Sequence, residues 1–567
     1  MKKQGFKSLA FIAAAGVLTT SCDLLKDLDY AVAPDPLEMH GDSVKVKVDI
    51  TFPEKGIKKK AYAEIYPAIG NTPLKPITVV GEKATANGKV IPYKPGGKVV
   101  YQDVVAYTPD MEVSELKITG KVFKGDKEKD AIEETKIADA TIITSLLVNK
   151  DFKAIIAKDE FKRITQEVLN AEIHYLKGRH EVRTTELRQD DIKALEAFLK
   201  EAETNEKLEI KNIKITGYAS IEGEEDKNNT LSQNRSTSAK DASKKIAAKK
   251  AVSNNMAKED GAYITSGKGE DYEGFKKALI ASDMDKGEKD LIIRILEMYS
   301  NSAQREKEIR NLGKTFTYLD KNVFPEQRRS EIAVNYDKIG YSDEELISIS
   351  KTNVDSLNVE EILFTATLTD DLNEKLRLYK AAERLFPEDF RGVNNVGTVL
   401  FMQNDLNGAK TQFEKAINIK ENEVTKNNLA ALAGIDGDRD KAKSLLAEAG
   451  SADEVKYNKG ILAIQDGRYD DALSNFGDDS FNKALAALLN NDISKAKSAI
   501  EASADAETAQ GYYLQALIGA RQDNIGEIVK NLKNAIAKDA SWKAKAAKDR
   551  EFIKYHPSPL FSDIVMK

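Results

Sequence analysis

The stretch IKITGYASIEGEEDKNNTLSQNRSTSAKDASKKIA, residues 213–247, decides the fold of the middle of the chain. Its first part alternates apolar Ile213 and Ile215 with polar neighbours, a period of two that predicts a β-strand. An acidic loop with one glycine follows, and acidic residues before a helix stabilise its electropositive N-terminus. The helix then places Asn228 and Arg235 on one face. The stretch predicts a strand, a loop and a helix that presents a guanidinium group, whose planar fork of donors suits a carboxylate.

Three motifs in this region resemble those of the OmpA-like peptidoglycan-binding family. Residues 228–236 read N-x-x-L-S-x-x-R-S, which differs from the family's N-x-x-L-S-x-x-R-A at the last position. Residues 217–223 match the family's G-x-T-D-x-x-G at both glycines, and residues 328–332 read R-R-S-E-I against the family's R-R-V-E-I. The resemblance implies a small α/β sandwich over residues 165–340 that holds the peptide stem of peptidoglycan.

The resemblance also implies roles for individual residues. Arg235 matches the family arginine that grips the carboxylate of a diamino acid, and Asn228 shares its helix face. Ser220 replaces the family aspartate that grips the ammonium group. A hydroxyl supplies no counter-charge, so ammonium recognition is expected to be weaker unless Glu222 or Glu224 supplies that charge. Two interpretations stay open: a peptidoglycan site formed by Arg235, Asn228 and Ser220, or an OmpA-like fold that has lost the ligand, with Arg235 pairing a loop carboxylate.

An insertion is expected at residues 253–325, between the helix and the last strand of this domain. Its GEDYEGF sequence at residues 269–275 and its later segments resemble the part inserted into OmpA-like proteins of Bacteroidota. The insertion is expected to form helices that pack on the domain and cap or widen the binding cleft.

The N-terminus resembles a bacterial lipoprotein signal. Residues 1–21 combine three lysines, no acidic residue and an apolar run at 9–18 that is too short to span a bilayer. The sequence Thr-Thr-Ser then precedes Cys22, the only cysteine, and this arrangement resembles a lipobox. The resemblance implies a signal peptide at 1–21 and lipidation at Cys22, while an ordinary secretory signal with an incidental cysteine is the alternative. A lipidated Cys22 leaves no thiol for a disulfide or a metal.

Residues 22–36 are expected to form a short tether, because they are acidic and contain two prolines. Residues 37–150 have a different sequence pattern, because they consist of short runs in which apolar and polar residues alternate, such as SVKVKVDITF at 43–52. Turn signals rich in glycine, proline and asparagine separate six or seven such runs, which predicts an all-β sandwich. No pattern in this region points to chemistry, so we expect a spacer or a docking module.

Residues 341–550 repeat a helical pattern. A small residue recurs in four first helices, and alanine follows each one twelve residues later. This pattern resembles the tetratricopeptide repeat, in which small residues let paired helices pack closely. The four small residues are Gly397, Ala430, Gly460 and Ala484. Their spacings of 33, 30 and 24 residues depart from the family period of about 34.

An asparagine stands two positions before each of these small residues: Asn395, Asn428, Asn458 and Asn482. The resemblance implies that such asparagines line a concave groove and bind the backbone or terminal carboxylate of a protein partner. The alternative is that they serve packing between helices. In either case a solenoid leaves a long concave surface. The tail at residues 551–567 is expected to cap the last helix.

Neither the composition nor the motifs favour an enzyme or a nucleic-acid binder. The formal net charge is −6 and 31% of the residues are charged, without a basic stripe interleaved with aromatic residues. The four histidines form no H-E-x-x-H spacing, and neither a P-loop nor a G-x-S-x-G elbow is found. We therefore expect no catalysis, no cofactor and no metal site.

Together these features predict a multidomain protein with an N-terminal all-β sandwich, an α/β OmpA-like domain and a C-terminal all-α tetratricopeptide solenoid. We expect a lipid-anchored outer-membrane protein, facing the periplasm, that ties the membrane non-covalently to the peptidoglycan stem peptide and recruits protein partners through its repeats. The rival hypothesis is an assembly adaptor for a secretion, fimbrial or surface complex, in which the OmpA-like domain no longer binds peptidoglycan.

Overall fold

The computed structural model describes residues 24–248 and 256–567. Cys22 and the predicted signal peptide at residues 1–21 lie outside the described residues. In the part of the chain that the structure describes, no helix has the length and apolar character needed to cross a membrane.

The chain folds into two compact units whose limits differ from the predicted domains. The first unit ends at Lys158 and resumes from Asp371 to Lys567, so the β-rich region and the helical array form one unit. The second unit spans Asp159–Asp370. It therefore includes the first helices after residue 341, which the sequence pattern assigns to the repeats.

Ten strands form the N-terminal part of the first unit. They are β1 (Asp29–Val32), β2 (Met39–His40), β3 (Ser43–Phe52), β4 (Ala61–Ile69), β5 (Thr72–Pro73), β6 (Ile77–Gly81), β7 (Lys89–Ile91), β8 (Gly97–Ala106), β9 (Ser114–Lys124) and β10 (Lys127–Ala140). One sheet has the order β1-β3-β2 with β8 beside β3, and the other has the order β10-β9-β4-β6-β7 with β5 beside β4. This confirms the predicted sheet-rich N-terminal region.

The two sheets share one hydrophobic core because their strands alternate. Every second residue of β3 from Val44 to Phe52 is buried, and so is every second residue of β4 from Ala61 to Ile69. Except for Pro67, these side chains belong to a single cluster of buried residues. A period of two on a pleated strand places such residues on one face, and burying that face stabilises the pair of sheets.

The predicted tether at residues 22–36 is part of this β-rich region as far as the structure describes it. Leu25 is only 6% exposed and forms an isolated bridge with Ile57. The Lys58 N–H donates to the Leu24 carbonyl at 2.9 Å. The following strand β1 pairs antiparallel with β3. Acidic residues and prolines suggested a loose linker, whereas the leucines between them supply core contacts.

The β-rich region and the helical array are joined by a largely enclosed arginine, whose side chain is 14% exposed. Arg521 donates to a Glu38 carboxylate oxygen at 2.9 Å and, from Nε, to the two Glu551 oxygens at 3.1 and 3.2 Å. Arg550 donates from Nε to the Ala140 carbonyl at 3.1 Å. Because a buried charge is costly unless it is paired, these contacts fix the array against the strands of the same unit.

The second unit is an α/β layer structure with an insertion. Its elements are β11 (Ile164–His174), α1 (Asp190–Thr204), β12 (Leu208–Ala219), α2 (Glu225–Ala248), β13 (Tyr263–Glu270), α3 (Tyr272–Ala281), α4 (Lys286–Met298), α5 (Ser302–Arg310), α6 (Lys314–Asn322), α7 (Phe324–Gln327), β14 (Arg329–Ile339), α8 (Asp343–Thr352) and α9 (Val359–Thr367). The sheet order is β11-β14-β12-β13, and only the β12–β13 pair is parallel. Buried residues of α1 and α2 share a core with the strands.

The insertion begins later than the sequence pattern suggests. Part of the predicted insertion at residues 253–325 is strand β13, which completes the sheet beside β12. Its sequence YITSGKGE is polar and glycine-rich, so it lacks the alternation that reveals the other strands. Gly267 is needed there, because an added Cβ would lie 2.5 Å from the Gln233 backbone nitrogen on α2. The helices α3–α7 that follow have a separate core around Phe275 and Phe324.

The C-terminal part of the first unit is entirely helical. Its helices are α10 (Leu372–Leu385), α11 (Phe390–Met402), α12 (Leu406–Ile419), α13 (Glu423–Asp436), α14 (Arg439–Ala447), α15 (Asp453–Gln465), α16 (Tyr469–Asn475), α17 (Phe481–Leu489), α18 (Ile493–Ala502), α19 (Ala509–Arg521), α20 (Ile525–Lys538), α21 (Ser541–Lys548) and α22 (Pro559–Val565). Consecutive helices pack as hairpins. The predicted all-helical C-terminal region is thereby confirmed.

The small residues of the repeat allow the two helices of each hairpin to approach closely. A Cβ added to Gly397 would lie 2.7 Å from the ring of Phe413, and one added to Gly460 would lie 2.6 Å from the ring of Phe476. The tail after the repeats is folded onto the array, since Phe552 and Phe561 are fully buried in its core.

Candidate functional site

The four asparagines predicted to line the groove hold a segment of their own chain. They lie on α11, α13, α15 and α17, the first helices of four successive hairpins. Each side-chain amide accepts a hydrogen bond from the backbone N–H and donates one to the carbonyl of the same residue. The pairs, with N–H and carbonyl distances, are Asn395 with Ala157 (2.7 and 2.9 Å), Asn428 with Ile155 (2.6 and 2.9 Å), Asn458 with Lys153 (2.7 and 2.8 Å) and Asn482 with Asn149 (2.8 and 2.9 Å).

We call these four asparagines the ladder and residues 149–157 the held segment. Three ladder partners, Lys153, Ile155 and Ala157, are two residues apart, which is the period of an extended chain. The segment runs opposite in direction to the helical repeats. One ladder step is four residues, from Asn149 to Lys153, and it falls where the sequence spacing between repeats is shortest.

Local capping helps to place the ladder helices in register. The Asp389 side chain caps α11 by accepting from the Arg391 N–H at 2.9 Å. Asn422 and Thr425 form a capping box at the start of α13. Ser480 caps α17 by accepting from the Lys483 N–H at 3.3 Å. Such caps satisfy backbone donors that the first helical turn leaves free, so these three ladder helices begin at a defined residue, whereas α15 follows Ala452 without a side-chain cap.

A second set of polar side chains supports the ladder, and the sequence pattern did not identify it. Asn427 donates to the Lys153 carbonyl at 3.0 Å, and Asn394 and Thr398 each donate to the Ile155 carbonyl at 3.1 Å. All three supporting side chains are fully buried. The signal that could have revealed them is the paired Asn-Asn sequence, which occurs in both α11 and α13.

An aspartate of the held segment occupies the long step of the ladder. The Tyr457 hydroxyl donates to the two Asp151 carboxylate oxygens at 2.9 and 2.8 Å, and Asn482 donates to one of them at 3.2 Å. Burial, followed by the nearby Asp151 charge, raises the pKa of Tyr457 well above its ordinary value. The phenol therefore remains a hydrogen-bond donor throughout the physiological pH range.

One large side chain of the held segment is inserted into the array. Phe152 is 3% exposed and packs among buried residues of the helical core. Gly434 on α13 makes room for it, because an added Cβ would lie 2.4 Å from the Phe152 ring. The array thus offers a ladder for the backbone and a pocket for one aromatic ring.

This arrangement is suited to binding polypeptide, because a carboxamide carries a donor and an acceptor that match the backbone of one extended residue. Bonds to the backbone do not depend on side-chain identity, whereas the Phe152 pocket and the Asp151 contacts do. The sequence predicts a groove for a partner protein; in the structure the chain itself occupies this site.

The second unit brings together the residues predicted to bind peptidoglycan, but gives them internal partners. Arg235 on α2 is 1% exposed. It donates to three backbone carbonyls: from Nε to Arg179 at 3.0 Å, from Nη1 to Tyr218 at 2.8 Å and from Nη2 to Leu176 at 3.4 Å. Burial lowers the pKa of its guanidinium to about 10. The predicted carboxylate-binding group thus cross-links the loop at residues 176–179 to strand β12.

Ser220 and Asn228 lie in the same internal network. The Ser220 hydroxyl donates to a Glu222 carboxylate oxygen at 3.1 Å. Asn228 donates to the carbonyls of Ser220 and Glu222, both at 3.2 Å, and to the Glu270 carboxylate at 2.8 Å. Burial raises the pKa of Glu270. Asn228 therefore closes the loop that carries Ser220.

The loop carboxylate pairs with a different arginine from the one expected. Glu222 is buried and accepts from Arg328 through both Nε, at 3.1 Å, and Nη2. The Lys177 ammonium lies 2.8 Å from its other oxygen. Arg328 also donates to Asp320 at 2.8 Å. The charge of Glu222 beside Ser220 is thus already compensated, while the recorded hydrogen bonds of Arg235 go to carbonyls and not to a loop carboxylate.

Across the described residues 24–248 and 256–567, no group of three or more histidine, cysteine, aspartate and glutamate side chains has the arrangement of a metal site.

No family model matches the chain, and no curated protein matches it. Among solved structures, it is similar to a tetratricopeptide repeat protein from Parabacteroides merdae, with 14% identity, 46% of this chain and 98% of the other covered, and a TM-score of 0.27. It is also similar to YrrB, described as a tetratricopeptide repeat protein with an unusual peptide-binding site (17% identity, 35% and 94% covered, TM-score 0.21). A third match is the yeast Tom70 (16% identity, 52% and 71% covered, TM-score 0.24). Because these TM-scores are low, the helical hairpins described above remain the basis for assigning the repeats.

Proposed function

We propose that the chain is a non-catalytic assembly adaptor of the bacterial cell envelope whose helical array grips extended polypeptide. The ladder supports this proposal, because its four asparagines form eight hydrogen bonds to the backbone of the held segment. A surface that recognises backbone and one aromatic ring is a polypeptide-binding surface, whichever chain supplies the polypeptide.

Occupation of the ladder by the chain itself restricts how a partner is recruited. A partner that uses the ladder has to displace residues 149–157, whose Phe152 ring is buried. Partners that leave the held segment in place have to bind other faces of the array. The proposal therefore predicts that binding at the ladder competes with the held segment.

A competition experiment tests the proposal. A labelled peptide with the sequence of residues 147–158 is added to the full chain and to Phe152→Ala, which weakens the internal competitor. We expect the peptide to bind Phe152→Ala more tightly than the wild type, and to lose binding when Asn458 is also replaced by alanine. A peptide with Phe152 replaced by alanine serves as the control ligand. Absence of peptide binding to Phe152→Ala contradicts a ladder that accepts polypeptide in trans.

Non-covalent tethering to peptidoglycan is the second candidate, and the proximity of three residues favours it. Ser220 and Asn228 are in contact, and Arg235 binds the carbonyl two residues before Ser220. Against it, the arginine donates to carbonyls inside the domain and Ser220 donates to Glu222. For this reason we place the adaptor first.

Co-sedimentation with purified peptidoglycan sacculi separates the two candidates. The adaptor hypothesis predicts that the full chain stays in the supernatant. Pelleting that soluble stem peptides reverse favours the tether instead. Lys177→Gln is an informative variant, since it removes a cation from the network around Glu222 without touching Arg235.

The location that we propose for either function is the outer membrane, facing the periplasm, with a lipid anchor on Cys22. The sequence before Cys22 is the support for this part of the proposal. Metabolic labelling of cells with an alkyne fatty acid should mark the wild type and spare Cys22→Ser. Equal labelling of both, or of neither, contradicts the anchor.

A further inference from the structure

A cluster of lysines surrounds the point at which the described chain begins. We call it the basic patch; it comprises Lys26, Lys55, Lys58, Lys59, Lys60, Lys83 and Lys94. The acidic residues interspersed with them are Asp27, Glu54 and Glu82. The patch is therefore strongly positive, although the whole chain has a formal net charge of −6.

Backbone hydrogen bonds hold the segments of the patch together. The Lys26 N–H donates to the Gly56 carbonyl at 2.7 Å, which joins the start of the chain to the lysine-rich turn. The Lys83 N–H donates to the Lys59 carbonyl at 2.6 Å, and the Lys55 N–H donates to the Tyr93 carbonyl at 2.7 Å. Side-chain contacts follow the same pattern, since the Lys26 ammonium donates to the Glu54 carbonyl at 3.0 Å and the Lys59 ammonium lies 5.2 Å from the centre of the Tyr93 ring. Lysines that are distant in sequence are thus brought close together.

Three lysines of the patch are available to an external anion. Lys60, Lys83 and Lys94 are exposed, and none of them forms a salt bridge within the described part of the chain. By contrast, Lys55 and Lys59 lie 3.5 Å from carboxylates of Glu54 and Glu82. The surface therefore retains positive charge beyond what its own acidic residues compensate.

The position of the patch relative to Cys22 suggests its partner. Leu24 bonds to Lys58 within the patch, and Leu25 is buried in the core. Leu24 is two positions after Cys22 in the sequence, and even a fully extended chain covers only about 7 Å in two steps. An acyl chain on Cys22 would therefore hold the basic patch close to the lipid headgroups.

We propose that the basic patch binds the anionic phospholipid headgroups of the membrane that carries the anchor. This inference rests on the lipid anchor in the proposed function. Basic residues next to a lipid anchor act as a second membrane-binding signal, and each one close to an anionic surface strengthens binding. The patch then fixes the face that the β-rich region turns toward the membrane.

Vesicle binding tests the patch without any acyl chain. The chain from Asp23 onward, which contains every described residue, is sedimented with phosphatidylcholine vesicles and with vesicles that also contain phosphatidylglycerol. We expect binding only to the anionic vesicles, decreasing as salt is added. The triple variant Lys60→Gln, Lys83→Gln, Lys94→Gln should bind about 100-fold more weakly, at roughly fivefold for each lysine.

A matched variant controls for the general loss of charge. Lys410, Lys495 and Lys533 are exposed on the helical array, and replacing these three by glutamine should leave vesicle binding unchanged. Equal loss in both variants, equal binding to neutral vesicles or no binding at all overturns the proposal. None of these results affects the anchor, because labelling at Cys22 tests the anchor independently.

Discussion

Replacing Asn428 by alanine is the sharpest test of the ladder. Its Oδ1 accepts from the Ile155 N–H at 2.6 Å, and its Nδ2 donates to the Ile155 carbonyl at 2.9 Å. Nδ2 also donates to the Asn394 side-chain oxygen at 2.9 Å. Asn428 is fully buried, so water cannot replace these bonds without opening the structure. The change should therefore loosen the held segment.

The magnitude follows from which groups lose their partners. The Ile155 carbonyl keeps Asn394 and Thr398 as donors, both at 3.1 Å, so it remains satisfied. The Ile155 N–H has no such reserve; it faces the fully buried side chain of Asn428 and becomes an unpaired donor there, which costs about 1–3 kcal/mol. The Nδ2 group, which donates to the Ile155 carbonyl, the Asn394 oxygen and, at 3.3 Å, the Thr398 hydroxyl, is lost as well, at about 1 kcal/mol net in total. We expect a loss of about 2–4 kcal/mol in the free energy that holds the segment.

Hydrogen exchange at the held segment measures this loss directly. If residues 149–157 open locally, a change of about 2–4 kcal/mol accelerates exchange at their amides by about 30- to 1,000-fold. Asn428→Asp is a second variant of the same shape; it keeps the acceptor but removes the donor and buries a charge. Its loss should be at least as large and should increase with pH, because deprotonation of a buried carboxyl is unfavourable.

The control is Asn407→Ala, which removes an exposed asparagine on the neighbouring helix α12. An exposed substitution of this kind should change stability by less than about 0.5 kcal/mol. If Asn428→Ala leaves exchange at the held segment as slow as in the wild type and in the control, the ladder does not hold the segment. The adaptor proposal would then lose its main support.

Three further outcomes are expected. Gly434→Ala should lower the free energy of unfolding of the first unit by about 1–3 kcal/mol and speed hydrogen exchange at the held segment, because the added Cβ displaces the Phe152 ring. Gly477→Ala, where an added Cβ has nothing within 4 Å, should change neither quantity. Arg235→Lys should lower the free energy of unfolding of the second unit by about 2–4 kcal/mol, because a lysine cannot reach three separate carbonyls. Arg179→Lys, at an exposed site, should leave that free energy unchanged. Equal thermal midpoints for the two variants would contradict this role of Arg235. Burial, followed by a neighbouring carboxylate, raises the pKa of Asp549 from 3.8 to about 6. Because the folded state then favours the protonated carboxyl, the first unit should lose up to about 3 kcal/mol of stability as the pH rises from about 4 to 6. Asp549→Asn should abolish that pH dependence in denaturant titrations.

The repeats could be recognised from the sequence because their signal is local. The small residues and the asparagines recur at helical spacings within hairpins, and helix geometry alone places Asn395 and Gly397 on their respective faces. The strand, loop and helix that contain Arg235 were predictable for the same reason. Strand β13 escaped notice because its polar, glycine-rich sequence does not alternate.

The partners of these residues could not be predicted. In the held segment, Ala157 lies 238 positions before Asn395 and Asn149 lies 333 positions before Asn482. Nothing in the sequence of this segment marks it as a ligand. Likewise, Glu222 pairs with Arg328 at a separation of 106 residues, although Arg235 is nearer in sequence. Only the folded arrangement decides such pairings.

Apart from strands β1 and β13, the sequence alone thus determined the main helices and strands and which helix faces carry asparagine and arginine, because those properties depend on residues a few positions apart. The tertiary structure decided that the ladder binds the chain's own segment, that Arg235 binds carbonyls and that the supposed tether belongs to the β-rich region. The physical reason is burial. Once folding removes these polar groups from water, each must find a partner among the groups that the fold brings near, whatever their distance along the chain.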